Sequence, residues 1–115
     1  MKLKINPDPT FKADVKITVP GQTEPGTLPV TFKYRGRDEY KALLESFQEK
    51  TDESGNATQK GKTFAEALPA IATGWGLDED FTPENIEIFL NNYPAAYQEI
   101  FAEYSRLLLV SRIKN

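Results

Sequence analysis

The chain has 115 residues, enough for one domain with a single modest core. Its net charge is −3 and its mean hydropathy −0.51, which argue against nonspecific nucleic-acid binding and against burial in a membrane. With no Cys and no His, disulfides, thiolate nucleophiles and the usual neutral-pH general base are all excluded, so no cofactor or metal is expected.

The charge is unevenly spread. Residues 1–37 carry seven basic and three acidic groups, whereas residues 38–115 carry seven basic and fourteen acidic ones. The two parts should attract each other, within one chain or between copies, so self-association is one expected outcome. The start, MKLKINPDPTF, is basic but lacks an apolar stretch of signal-peptide length, which predicts a protein of the cytoplasm.

Residues 1–36 read as a β-hairpin. In FKADVKITV, residues 11–19, apolar and polar side chains alternate, as in a half-buried strand. LPVTFKYR, residues 28–35, repeats the pattern with Leu28, Val30, Phe32 and Tyr34 on one face. The intervening PGQTEPGT is a loop, and Pro29 predicts an edge position or a late start for the second strand.

A helix is expected over 37–50, capped by Asp38, with Tyr40, Leu43, Leu44 and Phe47 on its apolar stripe. Residues 51–62 then read as a flexible linker. Within it, GNATQKGKT resembles a phosphate-binding loop, but five residues separate Gly55 from Gly61 where that loop needs four. A polar helix end precedes it instead of a buried strand. Nucleotide binding is therefore not expected.

Residues 63–115 form the helical part. Thr63 and Glu66 fit a capping box, Pro69 kinks or shortens the helix they open, and Thr73–Gly76 ends it. Asp78-Glu79-Asp80 lacks the alternating spacing of a calcium loop and reads as a solvated approach to the next helix. There Thr82 caps, Pro83 takes the first helical position, and Ile86, Phe89, Leu90 and Tyr93 form the stripe. Pro94 breaks the helix at Tyr93. The last helix, over 95–111, sets Tyr97, Ile100, Phe101, Tyr104, Leu107 and Leu108 on one side, with Leu109, Val110 and Ile113 on the other. The fold class is thus α+β: an N-terminal β-hairpin packed with about four α-helices.

Two readings stand for the all-round apolar end of the last helix. It is either the central core helix or a partly exposed site for another protein. Trp75 divides the same way, as a core plug or an interface anchor. The partner-binding candidates are Trp75, Tyr97, Leu109, Val110 and Ile113.

Taken together, NPDPTFKADVKITVPG, the helix on RDEYKALLESF and above all residues 74–115, GWGLDEDFTPENIEIFLNNYPAAYQEIFAEYSRLLLVSRIKN, resemble the tail assembly chaperones of long-tailed bacteriophages and prophages. The linker carries none of the resemblance. It implies a non-enzymatic protein of the host cytoplasm that keeps the tape-measure protein soluble, helps recruit tail-tube subunits and is absent from the finished virion. The alternative is a small adaptor or inhibitor that uses its hairpin edge for strand addition. An enzyme acting through Asp78, Asp80 or Glu84 stands third.

Overall fold

A computed structural model describes residues 3–109 of the chain. It is α+β, as expected, with four helices and a three-stranded antiparallel sheet that begins with the N-terminal hairpin. In the hairpin, β1 (Thr10–Ile17) pairs with β2 (Gly26–Lys33) so that Phe11 faces Phe32, Ala13 faces Val30 and Val15 faces Leu28. These pairs share the inward face that the alternation predicts. At the loop, Pro20 and Gly21 take the two central positions of a turn closed by Gln22 N–H donating to the Val19 carbonyl at 3.0 Å. Gly21 has φ +82°, which a side chain would oppose.

Helix α1 (Arg37–Ser46) starts earlier than the Asp38 cap implies, because the Glu39 carboxylate accepts the Gly36 N–H at 3.0 Å. Where the sequence reads as a linker, two short strands pair, β3 (Lys50–Thr51) with β4 (Ala57–Gln59). The Asp52 carboxylate accepts the N–H groups of Ser54 and Asn56, each at 2.9 Å. These bonds close the turn around Gly55 from within.

Helix α2 (Phe64–Ile71) has the expected capping box: Thr63 Oγ1 accepts the Glu66 N–H at 3.2 Å, and Glu66 accepts the Thr63 N–H at 2.9 Å. The bond from the Thr63 N–H is the main cause that holds the Glu66 carboxyl below its usual pKa. The helix stops at Ile71, two residues past Pro69, and the chain turns directly into β5 (Ala72–Trp75). Nothing in the residue pattern signals this strand, because four residues with a central glycine show no period.

Strand β5 pairs with β2, so the sheet order is β1-β2-β5 and β2 is central, not the edge that Pro29 suggested. The register explains how a central strand tolerates proline. Tyr34 N–H bonds to the Pro9 carbonyl, so the even-numbered residues of β2 turn their backbone groups to β1 and the odd-numbered ones to β5. Pro29 therefore faces the point where the β5 ladder ends. Its carbonyl accepts the Gly76 N–H at 2.8 Å, and only the reciprocal bond is missing.

Helix α3 (Pro83–Asn92) is capped by Thr82, whose Oγ1 accepts the Asn85 N–H at 3.2 Å, and it breaks at Tyr93 as Pro94 requires. Helix α4 (Ala96–Leu109) then lies against the sheet and buries Ala96, Ile100 and Tyr104, spaced four residues apart. The Tyr104 ring sits 5.2 Å from that of Phe32, and its hydroxyl donates to the Lys33 carbonyl at 2.8 Å. Burial pushes the Tyr104 phenol up to about 12, with the nearby Arg35 guanidinium pulling the other way. At the other end of α4, Glu99 accepts the backbone N–H of Thr18 at 2.9 Å and the Thr18 hydroxyl, tying the hairpin loop to the helix. Among the described residues, no helix is long and apolar enough to cross a membrane.

Candidate partner-binding surfaces

Apart from Phe11 and Tyr34 beside the N-terminal segment, the aromatic side chains that the core leaves partly uncovered gather mainly in two groups. One centres on Trp75, which is half-buried rather than a core plug. The chain after it curls back so that Trp75 Nε1 donates to the Glu79 carbonyl at 2.8 Å. Phe81 and Phe89 meet the indole edge-on at 5.1 and 5.4 Å, and Tyr93 stacks on Phe89 at 4.8 Å. Beside them opens a groove of about 410 Å³ lined by Trp75, Leu77, Glu79, Asn85, Ile88, Phe89, Asn92 and Tyr93. Leu77, Phe89 and Tyr93 also border a smaller cleft that runs on to Ile17, Val19 and Leu28.

The second group lies along the seam of α1 and α4. Leu44, Phe47, Gln48, Tyr97, Gln98, Phe101 and Ala102 line an open depression of about 500 Å³. Phe47 meets Phe101 edge-on at 5.8 Å, and Phe64 stacks flat on Tyr97 with ring centres 4.0 Å apart. Burial raises the Tyr97 phenol above its usual pKa. Helix α1 is lightly anchored here: Leu43 is its one fully buried residue, and the Tyr40 hydroxyl meets Ser105 Oγ at 2.5 Å.

The sequence candidates are thus divided between surfaces. Trp75 belongs to the first group and Tyr97 to the second. Leu109 is 59% exposed and lines neither depression. It follows Ala102 by seven residues, so it continues the same side of α4 beyond the seam. Val110 and Ile113 lie outside the described residues. Leu77 and Ile88 were missed. Ile88 stands off the apolar stripe of α3, and an aliphatic residue on the polar side of a helix was the available signal.

Charge separates the two halves further. No Lys or Arg occurs between Lys62 and Arg106, while eight acidic residues do, so the Trp75 groove is built entirely on acidic chain apart from the hairpin side of its cleft. Arg106 ends that run by pairing with Glu103, which lowers the Glu103 pKa. Among the described residues, no three acidic side chains converge as a metal site would require.

Over its whole length, residues 1–115, the chain matches the model of a family described as phage tail assembly chaperone. The chain belongs to that family. No curated protein and no solved structure matches it. Membership gives this chaperone a role in phage tail assembly, and the match spans the stretch 51–62 that carried no resemblance in the sequence.

Proposed function

We propose that this chaperone binds the tape-measure protein and holds it soluble until the tail tube forms around it. It acts without catalysis, in the cytoplasm of the bacterial host, recruits tail-tube subunits and leaves before the virion is finished. The observation that carries the reading is the α1–α4 seam. Leu44, Phe47, Tyr97 and Phe101 line a shallow apolar trough, Phe64 stands half exposed beside it, and Leu109 extends it along α4. A trough between helices suits the apolar face of a client helix, and aromatic anchors supply most of the energy in such contacts.

Co-expression with the tape-measure protein of the same phage tests this. Wild type should raise the soluble client fraction. Leu109→Asp changes an exposed residue, so it should melt like wild type yet lose that effect, and Phe64→Asp should lose it too while melting only slightly lower, because it also breaks the Tyr97 stack. A client that stays insoluble with wild type defeats the reading, and one that is still solubilised by both variants moves the contact off the seam.

A second reading, the strand-adding adaptor, draws on the outer edge of β1. Among the described residues, the N–H groups of Lys12, Asp14 and Lys16 have no partner there, and a cleft separates that edge from Glu103 and Arg106 of α4. One folded partner, lost on Asp14→Pro but retained by Leu109→Asp, would favour it.

A further inference from the structure

We infer that helix α1 stands in for the client: a client helix with the same apolar stripe displaces α1 and takes its place on α4. The inference rests on the seam being the client site, and it adds what a client must carry to bind there.

The seat of α1 suits one amphipathic helix. Tyr40, Leu43, Leu44 and Phe47 fall at i, i+3, i+4 and i+7, and this stripe turns toward α4. The Tyr40 ring lies 6.2 Å from that of Tyr104 and the Phe47 ring 5.8 Å from that of Phe101, so α1 runs against α4. Its hold is slight. Only Leu43 of the stripe is fully buried, while Leu44 and Phe47 line the open trough. Among the described residues, the Tyr40–Ser105 contact is the one hydrogen bond between the two helices, and no ion pair joins them. A helix of ten residues is marginal on its own, so little besides this contact keeps α1 in its seat.

The segment can leave as one piece. Gln59 Nε2 donates to the Glu45 carbonyl at 2.9 Å and to the Gln48 carbonyl at 2.5 Å, and the Lys62 N–H donates to the Phe47 carbonyl at 3.1 Å. The second hairpin is thereby fastened to the end of α1, and its strands add no side chain to the core. Helix α4 stays behind, held to the first hairpin by Ile100, by Tyr104 on Lys33 and by Glu99 on Thr18.

Once α1 is gone, Tyr97, Phe101, Tyr104 and Leu108 form one strip along α4, since they share a side of that helix. A client helix with apolar side chains at i, i+3, i+4 and i+7 reproduces the contacts that α1 made. A longer one gains more than α1 can, because it also covers Leu109 and Phe64, which α1 leaves 59% and 50% exposed. That surplus favours the exchange. The apparent affinity for a client is then the intrinsic affinity reduced by the small fraction of chains in which α1 is out.

Hydrogen exchange on the full chain tests this, first with no client. Amides of α1 and of the second hairpin should exchange together, at least roughly a hundredfold faster than those of α4 and β2. Equal protection of α1 and α4 overturns the inference. In the complex with the tape-measure protein of the same phage, α1 amides should lose protection at least about tenfold while α4 amides gain it. A client that lies in the trough beside a seated α1 would protect both helices. That result overturns the displacement and leaves tape-measure binding standing, whereas a wild type that binds no client overturns both. Tyr40→Phe supplies a variant that keeps the ring and loses only the bond to Ser105. It should open α1 roughly fivefold more often, the usual worth of one hydrogen bond. In competition with wild type for limiting client, it should bind more tightly by the same factor. Unchanged or weaker binding by Tyr40→Phe overturns the inference.

Discussion

The chain builds two hairpins, and they differ in almost every respect that matters for stability. The first has eight-residue strands, an alternating pattern and an inward face that buries Val15, Ile17, Leu28, Val30 and Phe32 under helix α4. The second has strands of two and three residues with no buried side chain. It is held by its Asp52 turn and by Gln59, whose amide donates to the Glu45 carbonyl at 2.9 Å. Strand pairing alone is marginal in water, and a covering helix is what turns a hairpin into part of a core. Substitutions should therefore weigh heavily in one hairpin and lightly in the other.

The largest effect is expected where α4 meets the first hairpin. Tyr104→Ala should cost about 3–5 kcal/mol, since it empties a fully buried site and frees the Lys33 carbonyl. Phe89→Ala, only partly buried, should cost less, and a denaturant series on both variants checks the order. Next comes Gly76→Ala beside β2. An added Cβ would lie 2.8 Å from Pro29 Cγ, so the β5 end must shift, at a cost of about 1–3 kcal/mol. A melting temperature equal to wild type would mean that the β2–β5 junction yields more easily than its geometry implies.

Tyr104→Phe sharpens the comparison through pH. The folded phenol titrates near 12 against 10.0 for an ordinary tyrosine, so the neutral form is favoured in the folded state. Its contribution is complete below pH 10 and is lost as pH rises toward 12. Wild type should lose stability across that window more steeply than Tyr104→Phe, and melting curves at successive alkaline pH values decide. The smallest effects belong to the second hairpin. Gly55→Ala, at φ +87°, should cost about 1–2 kcal/mol. Glu53→Ala, on the exposed turn, should stay within about 0.5 kcal/mol. A larger loss at Glu53 would show that this hairpin supports the fold after all.

Legibility followed the range of the interactions. The strands of the first hairpin, the Thr63–Glu66 box, the Thr82 cap and the break at Tyr93 could all be read directly. Each rests on side chains within a few residues of one another, where period and capping chemistry suffice. The short second hairpin was missed because its polar residues carry no period, although its turn chemistry was present in Asp52 and Gly55.

By itself, then, the sequence determined the local elements, the absence of thiol and imidazole chemistry and the uneven charge. Tertiary structure decided which strand is central, what satisfies the backbone around Pro29, and which aromatic residues meet. Trp75 and Tyr97 were both candidates on composition, yet they belong to different surfaces: Trp75 packs with Phe81 and Phe89, and Tyr97 with Phe64 and Phe101. No local rule could separate them. The division comes from β5 pairing with a strand more than forty residues earlier in the chain, and only the closed sheet fixes that partner.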